Sequence, residues 1–194
     1  MNKTKIEWTD YTWNPITGCK HNCSYCYARK IAMRFYGHFD PTEHPERLGE
    51  PSKLKKPSKI FVCSMADLFG DWVDKEWIIK VLKVARQNPQ HIFQFLTKNP
   101  KRYKEFEYLF TDNMHFGTTL DYVNQARLSD LKNIKGYKFI SFEPLLADMS
   151  ALDLSGIDLC IVGQMTGQGA TKTKQEWIDS IKHPNIFYKN NLKS

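Results

Sequence analysis

The chain has 194 residues, 41% of them hydrophobic and 25% charged. That length suits one domain with its own core, here taken as 1–194, and the composition excludes collagen, coiled coil and full disorder. Lys and Arg number 28 against 21 Asp and Glu, a net charge of +7. The excess suits an anionic partner such as a nucleotide or nucleic acid, and equally an ordinary solvated surface. No apolar run approaches the roughly 20 residues of a membrane helix. The opening Met1 to Trp8 has no apolar signal region, so the expected compartment is the cytoplasm, with no membrane contact. Five cysteines without a secretory signal argue against a disulfide framework.

In chain order, Thr12 to Ile16 is a first strand candidate. Three cysteines then crowd into Cys19-Lys-His-Asn-Cys23-Ser-Tyr-Cys26. Directly after them Ala28, Ile31, Ala32 and Phe35 mark the apolar face of a helix. Gly37 to Ser58 holds Pro41, Pro45, Pro51 and Pro57 and reads as a long loop. It ends in the densest basic stretch, Lys53 to Lys59. Lys59 to Ser64 is a strand. Asp74 caps a helix whose Ile78, Val81, Leu82 and Ala85 share one face. His91 to Thr97 is a strand, and Asn99-Pro100 opens a helix over 101–110. Met114 to Thr118 is a strand, Asp121 to Asn133 a helix stopped near Gly136, and Tyr137 to Phe142 another strand. Asp158 to Val162 follows. Thr173 to Glu176 forms a capping box before Trp177, Ile178 and Ile181, and Asn185 to Tyr188 is the last strand.

Strands alternate with helices, and most strands are continuous apolar runs, as in parallel sheets covered on both faces. The regular spacing predicts an α/β fold: a partial (β/α) barrel of about six or seven mostly parallel strands. A flavodoxin-like sheet is the alternative.

In such folds chemistry gathers where strands end. The strand ends supply Ser64, Asp67, Lys98, Thr118, Thr119, Glu143, Gly163, Gln164 and Lys189. Glu143 interrupts an apolar run, where a carboxylate is costly unless paired. Lys98 is a cation placed to meet an anionic group. Cys63 and Cys160 sit singly in apolar runs and read as small core residues. Three clustered thiolates can converge on one metal. Structural zinc and ferredoxin clusters both want four ligands, and no fourth has regular spacing here. Three ligands leave one coordination position open for chemistry. A zinc or iron–sulfur module that binds nucleic acid, or an electron carrier, remains the alternative.

Cys-x3-Cys-x2-Cys with an aromatic before the last cysteine resembles the signature of radical S-adenosylmethionine enzymes. Ile6 to Asp10, Thr12 to Cys19, Val62 to Phe69, Phe95 to Lys98, Ser141 to Leu146 and Ile161 to Gly163 look like blocks of a small phage- and bacteria-encoded family within that superfamily. Gly163-Gln-Met-Thr-Gly167 departs from the Gly-Gly-Glu-Ser-Gly expected there. The resemblance implies that Cys19, Cys23 and Cys26 hold a [4Fe–4S] cluster, with Tyr25 near the adenine of S-adenosylmethionine. It implies cofactor contacts from Ser64, Asp67, Lys98, Thr118, Thr119, Glu143 and Gly163, with Lys98 and Glu143 also catalytic. It further implies reductive cleavage to a 5′-deoxyadenosyl radical, hydrogen abstraction from an unidentified substrate, and a reductant such as flavodoxin or ferredoxin.

Overall fold

The computed structural model describes residues 1–167 and 169–193. In chain order it places β1 (Asn2–Lys3), β2 (Tyr11–Trp13), β3 (Ile16–Thr17), α1 (Tyr27–Tyr36), β4 (Thr42–Glu43) and β5 (Lys59–Val62). Then come α2 (Lys75–Gln87), β6 (Ile92–Thr97), a 3-10 helix over Pro100–Leu109, and β7 (Met114–Thr119). The last elements are α3 (Gln125–Lys132), β8 (Tyr137–Phe142), β9 (Leu159–Val162), α4 (Gln175–Ser180) and β10 (Ile186–Tyr188).

The main sheet has eight strands in the order β1-β2-β5-β6-β7-β8-β9-β10. Only β1 runs antiparallel, against β2; each later neighbour is parallel. The seven expected strands are the seven parallel ones, and β1 is an added edge. The order never reverses, which excludes a doubly wound layout with its switch point. Among the described residues β10 does not pair with β2, so the sheet stays open as a partial α/β barrel.

Strand alternation divides the sheet into two unequal faces. One face packs Ile60, Val62, Phe93, Phe95, Phe116, Ile140, Phe142 and Val162 against α2, α3 and the 3-10 segment. The other carries a smaller cluster of Trp8, Phe61, Phe139 and Ile161. Trp8 comes from the turn before β2, its ring centroid 4.8 Å from that of Phe61 and 6.0 Å from that of Phe139. It thus covers the middle of that second face, between the Phe61 and Phe139 rings.

Local departures from the expected elements have identifiable causes. The segment after Asn99 is a 3-10 helix because its buried Pro100, Tyr103, Phe106 and Leu109 recur every third residue, the period of that helix. Buried Arg102 tightens it by donating to the carbonyls of Gly70 and Val73. α3 begins later than expected: the Asn124 side chain, not Asp121, accepts from the Arg127 amide at 2.9 Å. The Thr173 capping box does not form, because its hydroxyl donates to the Leu145 carbonyl at 3.1 Å.

The 37–58 loop is partly built. Its β4 pairs with β3, and short 3-10 turns cover Pro45–Arg47 and Pro51–Lys53. Its Asp40 carbonyl packs on Gly18, where a Cβ would clash with it, and Gly18 takes φ +88°. The first cysteine is therefore preceded by a residue that must be glycine on both counts. α1 buries Ala28 and Ala32 only; Ile31 and Phe35, expected in its apolar face, are exposed. None of the helices is long and apolar enough to cross a membrane among the described residues.

Candidate active site

The C-terminal ends of the parallel strands surround a cavity of ≈ 550 Å³. Cys19, Cys23, Tyr25, Ser64, Asp67, Lys98, Thr119 and Glu143 all line it, so residues scattered over 125 positions of sequence meet in one place. Four candidates do not line it: Cys26, Thr118, Gly163 and Gln164. Thr118 is fully buried and donates to the Thr97 carbonyl at 2.7 Å. Cys26 caps α1, its Sγ accepting from the Arg29 amide at 3.3 Å. Gly163 lies beneath the cavity wall, where an added Cβ would come within 2.9 Å of Lys189 Cδ and 3.2 Å of the Glu143 side chain. A second cavity of ≈ 590 Å³, beyond Gly18, holds none of the candidate site residues. The basic stretch 53–59 precedes β5, at the opposite end of the strand from the site.

Directly after β5 comes Cys63, a non-glycine residue at φ 59°. That left-handed turn carries Ser64 to Asp67 across the cavity. Asp67 is buried, at 6% exposure, yet accepts from four donors. Oδ1 takes the Phe69 amide at 3.1 Å and Thr97 Oγ1 at 2.6 Å. Oδ2 takes the Lys98 amide at 2.9 Å and lies 2.7 Å from His21 Nε2. A buried carboxylate is tolerable when so fully bonded. Here it ties the cysteine loop, through His21, to the ends of β5 and β6. His21 also sits edge-on to Trp72, with ring centroids 4.8 Å apart.

A second network joins Tyr25, Lys98 and Asp121. Lys98 Nζ lies 2.6 Å from Asp121 Oδ2 and donates to Tyr25 Oη at 2.5 Å. Tyr25 in turn donates to Asp121 at 2.7 Å. Burial, then the Asp121 hydrogen bond, pushes the Tyr25 phenol far above its ordinary range. Burial alone would raise Asp121, but the Lys98 and Tyr25 hydrogen bonds outweigh it and hold the carboxyl below its usual value. Arg127 adds a cation 3.6 Å from Asp121 Oδ1.

A third network faces these across the cavity. Glu143 Oε1 pairs with Lys189 Nζ at 2.6 Å. Its Oε2 accepts from Trp8 Nε1 and from Ser141 Oγ, each at 3.1 Å. The carboxylate that interrupts an apolar run is thus paired, and it fixes the tryptophan on the floor.

Asp121 and Ser141 belong to these networks and were not among the sequence candidates. Asp121 follows the end of β7 by two residues, so the strand-end rule reaches it once α3 no longer claims it. Trp8 and Trp13 flank the cysteine cluster in sequence, which makes both candidates to line the site; Trp8 does line it, whereas Trp13 is fully buried and donates to the Arg47 carbonyl at 2.8 Å.

The three clustered cysteines are free. Among the described residues their sulfurs are not gathered into a metal-holding group. Their chemistry nonetheless suits thiolate-ligated iron: three soft donors on one eight-residue loop, two of them lining the cavity. Burial pushes the Cys19 thiol up to about 11, so a metal there would have to displace a proton. Burial likewise pushes Cys63 and Cys160 up to about 12.

Residues 3–186 match the model of a family described as "Protein of unknown function (DUF5131)". No curated protein matches the sequence. Among solved structures, spore photoproduct lyase complexed with dinucleoside spore photoproduct is similar, at 12% identity and a TM-score of 0.62. The match covers 83% of this chain and 57% of that one. A mutant of the same lyase matches at 14% identity and TM-score 0.62, over 86% of this chain and 60% of that one. This chain spans less than two thirds of those structures, and at such identity the likeness is one of fold.

Proposed function

The chain belongs to the DUF5131 family, and we propose that it is a radical S-adenosylmethionine enzyme acting on a nucleotide or nucleic acid. The observation that carries the reading is the placement of Cys19 and Cys23 on the wall of a cavity at the C-terminal ends of parallel strands. The resemblance of the cysteine loop supports it. So does the partial-barrel fold shared with spore photoproduct lyase, a radical S-adenosylmethionine enzyme captured with a dinucleoside lesion.

In this reading Cys19, Cys23 and Cys26 hold a [4Fe–4S] cluster. Bound there, the cluster and S-adenosylmethionine would supply reductive carbon–sulfur cleavage, with the electron coming from an external reductant, methionine as the other product, and hydrogen abstraction as the resulting chemistry. The chain's own residues position and shield. Asp67 fixes the loop through His21. Lys98, held by Asp121 and Tyr25, presents a cation to the cofactor carboxylate. Glu143 offers acceptor oxygens to a ribose or substrate hydroxyl while keeping Trp8 in place. Trp8, Phe61 and Leu96 supply an apolar floor that excludes water from a reactive species.

Anaerobic reconstitution with iron and sulfide, followed by strong reductant and S-adenosylmethionine, tests the reading. The expected result is a brown protein with about four irons per chain that forms 5′-deoxyadenosine. A colourless, zinc-loaded protein refutes it. An intact cluster that never cleaves the cofactor makes the protein an electron carrier.

A further inference from the structure

Helix α1 leaves the cysteine loop with an unusual surface. Its sequence, Tyr-Ala-Arg-Lys-Ile-Ala-Met-Arg-Phe-Tyr, contains three cations and no acid. Only the two alanines are buried. Tyr27, Ile31 and Phe35 fall at i, i+4 and i+8, so they form one stripe along the helix. Tyr27 is 52% exposed, Phe35 69% and the adjacent Tyr36 72%. Lys30 and Arg34 flank the stripe and Lys20 precedes it, all exposed and none ion-paired among the described residues. Arg34 lies over the Phe35 ring at 5.7 Å. Tyr27 also lines the cavity and donates to the Ser64 carbonyl at 2.7 Å. The stripe is therefore continuous with the site.

We propose that this face of α1 is a docking track for single-stranded nucleic acid, which leads a strand along the helix and delivers one nucleotide into the cavity. The proposal rests on the cavity being the reaction site, and it names the polymer that brings the substrate there. Exposed aromatic rings interleaved with Lys and Arg are the means by which proteins hold unpaired strands: bases stack on the rings and cations neutralise phosphates. A duplex hides its base faces and would leave the rings unused. A second copy of the chain would set the cations of one α1 against those of the other. The helix is about 15 Å long, room for a few stacked bases. The dense basic stretch at Lys53 to Lys56 lies at the far end of β5 and cannot share the track.

The test is fluorescence anisotropy of a labelled oligothymidylate of roughly 12 nucleotides, titrated with the full reconstituted chain at several salt concentrations. Phe35→Ala should weaken binding about 10-fold with the salt slope kept. Arg34→Ala should lower that slope by about 0.7. Both positions are exposed, so the fold tolerates them, and 5′-deoxyadenosine formation in the absence of nucleic acid should be unchanged. Lys55→Glu, at the far end, should alter affinity less than either. Unchanged binding in Phe35→Ala together with loss in Lys55→Glu overturns the proposal. So does displacement of the oligonucleotide by polyglutamate with no dependence on Phe35, which makes the face a site for an acidic protein. Cofactor cleavage without oligonucleotide binding sinks the track alone; binding without cleavage sinks the enzyme reading alone.

Discussion

Replacing Asp67 by Asn isolates the clamp on the cysteine loop. The two side chains are nearly isosteric, but the carboxylate accepts at both oxygens and the amide at one. Each oxygen of Asp67 serves one backbone amide, Phe69 on Oδ1 and Lys98 on Oδ2. Whichever way the new amide turns, its NH2 faces one of those N–H groups. A buried donor left unbonded costs about 1–3 kcal/mol, and exchanging a charged acceptor for a neutral one weakens the remaining bonds by about 1 kcal/mol or more. The sum is about 3 kcal/mol, a large part of the stability of a typical domain. At this chain length it lowers Tm by about 6–12 °C. Thermal unfolding followed by circular dichroism measures it. His21→Ala should cost about 1 kcal/mol, because it removes a single bond from a partly exposed ring. A loss below about 0.5 kcal/mol in Asp67→Asn would show that Asp67 does not hold the loop, and the reasoning would fail.

Cys23→Ala should abolish cluster assembly while leaving the far-ultraviolet spectrum unchanged, since Cys23 sits in a loop; iron analysis after reconstitution decides it. Lys98→Ala should weaken S-adenosylmethionine binding about 10-fold with iron content intact, as read by equilibrium dialysis; unchanged affinity would return Lys98 to structural duty. His115, stacked on Tyr137 at 3.9 Å, is held down to about 4 by burial and then by Lys59, with Asp158 opposing. The unfolded chain therefore binds this proton first as pH falls, so stability is full above about 6.5 and declines toward 4. The full linkage is about 3 kcal/mol, reduced by partial exposure of the ring to about 1–2. Urea midpoints between pH 7 and 4 should fall less steeply in His115→Gln than in the parent.

The sheet was legible because its strands are apolar on both faces and nearly evenly spaced, so runs such as Phe93 to Leu96 announce themselves without tertiary information. The site was partly legible for a related reason: polar residues that end apolar runs, such as Lys98 and Glu143, stand out. What escaped depends on partners distant in sequence. Asp121 looks like a helix start until Lys98 and Tyr25 are seen to claim it. Trp8 reads as a residue flanking the site, but only the fold brings Glu143 to its indole 135 residues away. Thr173 satisfies a capping pattern locally, but Leu145 offers its hydroxyl a better buried acceptor. The apolar residues of α1 misled because periodicity reports that a face is apolar, not that anything covers it.

Among the described residues the unclosed sheet ends in two borders, and each is very short. β1 contributes two residues and β10 three. A long flat border would template pairing with another chain, the first step toward amyloid-like assembly. Borders this short expose too few unpaired amides and carbonyls in register to recruit a foreign strand, and exposed Lys3 places a charge on the β1 border. Short borders therefore let the described sheet stay unclosed while offering little template for strand addition.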